Sequence, residues 1–350
     1  MSLTLITGMP GWLGTRLVRT LLEGLPGTPF SSEPERTRQI RCLVMPALVP
    51  AVPHLWSNRV AIVTGDLRDP ASAAAFCRDA AGATLFHCAG IVHPKRSTRE
   101  LFDLNANGTR HLLQAAEEAQ VRRVIAVSSN SPFGFNPQRE HLFDEQAPYH
   151  PYMAYGRSKM LLEQIVHEFQ ARGRIETVIV RPPWFYGPDQ PLRQTTFFRM
   201  IRRGRAPIVG GGESRRSMAY IDNLCQALLL CERTPAAKNQ TYWIADRQPY
   251  MMKEIVNTVE RLMENEFGLT VAHKRLRLPA VASDLARLGD AMIQKAGWYQ
   301  QNVHVLSEMG KTIACSIAKA EKELGYTPTI ALEEGMRRSL AWCLAQGIAL

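Results

Sequence analysis

Cysteine is sparse and scattered in this chain. The seven thiols, Cys42, Cys77, Cys88, Cys225, Cys231, Cys315 and Cys343, form no C-x-x-C pair. An odd number without paired spacing argues against a disulfide framework or a zinc site and for buried thiols in a reducing compartment. No run approaches the roughly 18 consecutive apolar residues of a membrane-spanning helix. Met1 leads straight into the apolar run Leu3 to Thr7 without a basic leader, so a cytoplasmic protein with no membrane partner is expected. Aromatics are only 8% of residues, and no zinc-finger, basic-zipper or aromatic RNP pattern occurs, which argues against nucleic acid as a partner. The charge is nevertheless lopsided, 42 Lys+Arg against 32 Asp+Glu, or +10. That excess suits an anionic small molecule or a well-solvated surface. A metal site is also missing. His167-Glu168 opens an H-E-x-x-H pattern that Ala171 fails to complete, and His87 and His93 read as packing or surface residues.

What is present is 350 residues, 45% hydrophobic and 21% charged, enough for one large domain or two unequal lobes with a substantial core. Short β-type runs (Leu3 to Thr7, Ile40 to Val44, Val60 to Val63, Thr84 to Cys88, Val124 to Ser128, Thr177 to Arg181) alternate with amphipathic stretches (Gly14 to Gly24, Ala71 to Ala81, Glu100 to Ala119, Tyr155 to Ala171). Such alternation predicts an α/β fold, a Rossmann-type doubly wound parallel sheet covered on both faces. Turn-rich stretches from Gly24 to Arg36 and Pro46 to Asn58 predict surface loops. After Arg181 prolines interrupt shorter elements, yet Thr241 to Ala245 still reads as a sheet strand. The expected division is therefore interleaved: a dinucleotide-binding domain over 1–182 to which the chain returns near 217–246, and a smaller C-terminal substrate lobe over 183–216 and 247–350. Helices are expected there near Lys253 to Phe267, Val281 to Ala296 and Leu332 to Ala345.

Two motifs carry chemistry. Gly8-Met9-Pro10-Gly11-Trp12-Leu13-Gly14 is a G-x-x-G-x-x-G turn between the first strand and first helix, where backbone N–H groups can approach a pyrophosphate. Tyr155 and Lys159 stand four apart, on one helix face, where an ammonium and a nicotinamide cation can favour phenolate and make the tyrosine a proton donor or acceptor. Either feature alone has an ordinary structural explanation: turn geometry for the glycines, chance helical spacing for the pair.

Together with further segments in order, these motifs resemble the extended short-chain dehydrogenase/reductase family, the NAD-dependent epimerase/dehydratase superfamily. Gly65-Asp66-Leu67 resembles its adenine-contacting segment, Cys88-Ala89-Gly90 its turn after the fourth strand, and Asn105-Ala106-Asn107-Gly108-Thr109 its N-x-x-G-T helix. Val127-Ser128-Ser129 resembles its T-S-S strand end, Arg181-Pro182-Pro183-Trp184-Phe185-Tyr186-Gly187-Pro188 its R-P-x-x-x-Y-G-P segment, and Tyr220-Ile221-Asp222-Asn223 its later V-D-N motif. The resemblance spans residues 7 to 223 and is loose beyond them.

It implies Tyr155 as catalytic acid/base, Lys159 on the nicotinamide ribose, and Ser129 on the reacting oxygen, with Ser128 the competing serine. Coenzyme contacts would come from Gly8, Gly11, Trp12, Leu13, Gly14, Asp66, Leu67, Ala89, Gly90, Asn105, Lys159 and Pro183. The second strand ends Cys42-Leu43-Val44-Met45 without the acid that selects NAD, so NAD or NADP is admitted, with the balance toward NADP. Arg216 stands where UDP-sugar epimerases grip a diphosphate, and the segment from Leu192 to Arg216 holds seven arginines. Trp184 replaces an asparagine of several sugar-nucleotide enzymes and, with Phe185, suits an apolar substrate pocket or simply closes the lobe interface. A sugar-nucleotide epimerase is the leading expectation. A 3β-hydroxysteroid dehydrogenase-like or other ketone reductase is the alternative, and a non-catalytic coenzyme-binding member comes third. Asn130 and Ser131 do not supply the extra acid/base pair of a dehydratase. A homodimer through the helical stretches Glu100 to Ala119 and Tyr155 to Ala171 is implied by the resemblance alone.

Overall fold

Strands whose successive side chains are all apolar need cover on both faces, and the observed sheet provides it. The computed structural model describes residues 2–31, 38–53, 56, 58–95 and 97–350. The strands are β1 Leu3–Thr7, β2 Gln39–Val44, β3 Val60–Thr64, β4 Thr84–His87, β5 Arg123–Val127, β6 Glu176–Arg181, β7 Trp184–Tyr186, β8 Pro207–Val209, β9 Arg215–Arg216, β10 Met218–Tyr220, β11 Gln240–Trp243, β12 Tyr250–Met251 and β13 Leu276–Leu278. Seven of them form one parallel sheet in the order β11-β6-β5-β4-β1-β2-β3. The remaining six form three short pairs. The Rossmann-type expectation holds, including the late strand at residues 240–243.

The helices are α1 Trp12–Glu23, α2 Pro70–Cys77, α3 Arg99–Phe102, α4 Thr109–Glu118, α5 Met153–Arg172, α6 Leu192–Arg202, α7 Ile221–Arg233, α8 Met252–Asn265, α9 Val281–Lys295, α10 Gln301–Met309, α11 Ala318–Leu324 and α12 Leu332–Ala345. Successive strand residues feed opposite cores, as a two-residue period requires. Ile6, Cys42, Phe86 and Ile125 join the core on the α1 and α7 side. Leu5, Leu43, Leu85 and Val124 join the core with α2, α4 and α5. The stretch expected as one helix from Glu100 to Ala119 is α3 and α4 joined by a π-helical turn, Asp103–Gly108. Of the two turn-rich loops, residues 32–37, 54, 55 and 57 lie outside the described residues, and Pro46–Ala51 forms a short 3-10 helix.

Two arginine ion pairs brace the sheet, the first of them buried on both sides. Arg181 at the end of β6 meets Glu163 of α5 at 2.7 Å and stacks its guanidinium over Phe133, 4.3 Å from the ring centre. Arg123 of β5 meets Glu176 at 2.7 Å and donates to the carbonyls of Cys231 and Thr234 at the end of α7. Removing one partner of the buried Arg181–Glu163 pair would cost about 3–5 kcal/mol. All seven cysteines are free; Cys88 is half-buried and the others buried.

Candidate active site

The sheet reverses direction of winding between β1 and β4, and open α/β sheets bind ligands at the carboxyl ends of the strands at that point. There Gly8, at φ +94°, lies so close to the end of β4 that a Cβ would sit 2.6 Å from the Cys88 carbonyl carbon. Helix α1 follows with Gly11 at its N-cap, no side-chain cap and no acid in its first turn. Its N-terminal N–H groups and positive dipole end are thus left for an anion. Thr7 Oγ1 and Thr109 Oγ1 hold the two nitrogens of His87 at 2.8 and 2.9 Å. Burial, aided by Lys159, pushes that imidazole down to about 3, so it is a neutral tie between β1, β4 and α4.

Helix α5 approaches the turn after β5 because Gly156 has no side chain; a Cβ there would overlap the Ser131 carbonyl. Close approach brings Tyr155 to Ser129. Burial pushes the phenol up to about 12 and Glu308 in α10 adds to that, while the neighbouring Ser129 hydroxyl and the cation of Arg193 in α6 act the other way. Lys159, one turn on, is buried and donates from Nζ to the Val127 carbonyl at 2.9 Å. Burial pushes it down to about 8, opposed by Glu163 and Cys88. Ser128 donates its backbone N–H to the Val180 carbonyl at 2.7 Å, and its buried hydroxyl has no partner among the described residues. The structure therefore brings Ser129, Tyr155 and Lys159 together.

The remaining sequence-derived positions divide. Gly90 borders Lys159; a Cβ there would lie 3.2 Å from Nζ. The Ala89 N–H donates to Thr7 Oγ1 at 3.3 Å, while Leu13 and Leu67 are core residues beneath the cleft. Asn105 braces the turn after β4, accepting from Ile91 N–H and donating to the Ile91 carbonyl and Ser158. Asp66 pairs with Arg68. Trp12 reaches β7 and the turn after it, its indole N–H on the Pro188 carbonyl at 2.6 Å and its ring 4.9 Å from Phe185. Pro183 is buried between β6 and β7. Trp184 donates to Gln194 at 3.0 Å and packs edge-on against Phe197, closing on α6. Arg216 donates to the Glu308 carbonyl, and burial lowers its pKa. The open turn at Gly8, the uncapped α1 N-terminus and the buried Lys159 fit a dinucleotide. Among the described residues no group of three or more His, Cys, Asp or Glu side chains could hold a metal.

Four further residues shape the cleft. Arg193 carries the cation that acts on both Tyr155 and Tyr299. His93, read from sequence as packing or surface, bonds Tyr299 through Nδ1 at 2.5 Å, and burial pushes it down to about 4. Gln294 of α9 accepts the Ala154 N–H at 3.0 Å, capping the helix that carries Tyr155. Arg193 was visible only as one arginine of a run. Tyr299, His93 and Gln294 have no motif spacing that could have marked them.

Residues 4–245 match the family model described as "NAD dependent epimerase/dehydratase family". Over 349 residues the chain is 47% identical to Uncharacterized protein y4nL of Sinorhizobium fredii (strain NBRC 101917 / NGR234), covering 99% of this chain and 96% of that protein. It is 26% identical over 301 residues to 3beta-hydroxysteroid-dehydrogenase/decarboxylase isoform 1 of Arabidopsis thaliana, covering 81% of this chain and 67% of the relative. The crystal structure of UDP-glucuronic acid 4-epimerase from Bacillus cereus in complex with NAD superposes with a TM-score of 0.73 at 18% identity, covering 99% of this chain and all of that one. That last likeness is one of fold.

Proposed function

Because the chain belongs to the NAD-dependent epimerase/dehydratase family, we propose that it oxidises or reduces a secondary alcohol or ketone carbon, with Tyr155, Ser129 and Lys159 as the working residues. The observation that carries this reading is the meeting of Tyr155 with Ser129 beside Lys159, over the Gly8 turn. When bound, the nicotinamide supplies hydride exchange with the substrate carbon. Ser129 orients the substrate oxygen by hydrogen bonding, and Tyr155 gives or takes its proton. Lys159 binds the coenzyme ribose. Residues 1–182 with 217–246 would hold the coenzyme, and 183–216 with 247–350 the substrate. Either coenzyme is accommodated. No carboxylate ends β2 to repel a 2′-phosphate, and Arg41 is taken up by the carbonyls of Phe76 and Arg78.

Net oxidation or reduction is favoured over the sugar-nucleotide epimerase expected from sequence. The half-buried guanidinium of Arg216, on which a diphosphate grip rested, already donates to the backbone carbonyl of Glu308 in α10. The relative named as a 3beta-hydroxysteroid-dehydrogenase/decarboxylase, matched over 81% of this chain, supports the same choice. Arg193 supports the epimerase reading, since it sets a cation facing Tyr155 where an anionic substrate could bind. Tyr155→Phe should cut turnover by about 10²–10⁴ while leaving coenzyme affinity intact. Undiminished turnover would sink the mechanism. Nucleotides released from gently purified, then denatured protein separate the two readings. NAD retained with a sugar nucleotide means epimerisation; an empty protein that consumes NADPH with ketones means reduction.

A further inference from the structure

Helix α9 is inside out. Its inward side carries Ser283 and Asp290, both buried, and Gln294. Asp290 binds His304 of α10 at 2.7 Å, and Gln294 bonds Asp290 and the Ala154 N–H. Its outward side carries Val281, Leu285, Leu288 and Met292, spaced by four, three and four residues and so aligned in one stripe. Leu285 is 62% exposed, Met292 69% and the following Trp298 72%, with Leu276 and Val305 exposed nearby. A contiguous apolar stripe of this kind marks an interaction surface.

The charges around the stripe identify its occupant. Lys274, Arg277, Arg287 and Lys295 are exposed, and none makes an ion pair among the described residues. From Phe267 to Ser307 the sequence has two acids, Asp284 and Asp290, and both are engaged, by Lys311 and His304. A second copy of the chain docking by two-fold symmetry would bring the same cations against one another. An anionic surface would complement them. An apolar stripe with an exposed tryptophan and flanking Lys/Arg has the composition of a helix lying in the plane of a lipid interface. We infer that α9 and Trp298 dock this protein peripherally on an anionic phospholipid membrane, so that the helix whose Gln294 caps the Tyr155 helix turns its other face to the lipid. No helix among the described residues is long and apolar enough to cross a membrane, and peripheral docking needs none. The expectation of no membrane partner rested on spanning length and on the missing basic leader, and peripheral docking depends on neither.

The test is flotation of the full chain with vesicles of phosphatidylcholine, with or without phosphatidylglycerol. The readout is binding, so it stands apart from the proposed reaction. Wild type should float with the anionic vesicles and at least about tenfold less with neutral ones. The L285S/M292S double variant should stay at the bottom, and R287E/K295E should weaken binding to a similar degree. These surface changes leave the core intact, which circular dichroism checks. Failure of the wild type to float, equal flotation with neutral vesicles, or full binding by L285S/M292S each overturns the inference. A dimer in sedimentation velocity that L285S/M292S dissolves, with vesicles ignored, would assign the face to a second copy instead.

Discussion

Lys159→Met should make the chain more stable while abolishing turnover. The ammonium is 3% exposed, donates to the Val127 carbonyl at 2.9 Å, and is pushed down by burial to about 8 from 10.5. Between those two values the unfolded chain holds a proton that the folded one has released, so stability rises with pH through that window. Below it both states are charged, and the folded one bears the desolvation, about 3 kcal/mol for a shift of this size. Methionine keeps a straight stem of similar length and removes that cost. It also leaves the Val127 carbonyl without its donor, a loss of about 1 kcal/mol. The net gain near pH 7 is then about 1–2 kcal/mol, read as a higher urea midpoint at unchanged slope. Above about pH 10.5, where lysine is neutral in both states, the gain should vanish and the variant become level with wild type or slightly weaker. A K159M protein that is less stable than wild type near neutrality, by the same margin at both pH values, would refute the reasoning.

Two other substitutions test the cleft from different sides. Gly8→Ala adds a Cβ 2.6 Å from the Cys88 carbonyl carbon at φ +94°. It should cost about 2–5 kcal/mol in unfolding free energy and abolish NADH binding in a fluorescence titration, and near-wild-type values for both would dismiss the cradle. Arg193→Met removes the cation that lowers Tyr155. The tyrosine limb of the kcat/KM pH profile should move to higher pH with NADH affinity unchanged; a rise in KM with an unmoved profile would show that Arg193 only binds substrate.

The sheet was legible in the sequence because a buried parallel strand leaves a dense signature. Leu3 to Thr7, Thr84 to Cys88 and Val124 to Ser128 are short apolar runs between turn formers, and the strands fall on them to within a residue at each end. The glycine turn and the Tyr155/Lys159 pair were legible because local geometry sets their spacing. The choice of Ser129 over Ser128 came from a counting pattern; in the structure Ser129 is the serine that acts on Tyr155, and the Ser128 hydroxyl is buried without a partner among the described residues. Helices α6, α7, α10 and α11 carried weaker signals. In α7, residues on every side are buried, including Gln226 and Glu232, so an amphipathic pattern underreports it. The far wall of the cleft was illegible for another reason: Arg193, Tyr299, His93 and Gln294 come from separate segments that meet only through tertiary packing. Arg216 shows the converse, a position with the right sequence spacing whose surroundings turn its donor toward α10.

The tuning of Tyr155 draws on side chains from distant parts of the chain. Sequence spacing alone assigns the phenol's cation to Lys159, on the same helix face. In the folded chain, Lys159 is anchored on the Val127 carbonyl, and the cation that lowers Tyr155 is Arg193, from the proline-rich second half. Burial nevertheless dominates and leaves the phenol protonated near neutral pH. In the role proposed for it, Tyr155 would already be in the right state to give a proton to a developing alkoxide; as a base, it would need further positive charge in the cleft. A nicotinamide cation, the oxidised coenzyme, would supply that charge, and the reduced form would not. On that proposal the same side chain would be biased toward acid with reduced coenzyme and toward base with oxidised coenzyme. A proton relay that must run in either direction at one pH requires that arrangement.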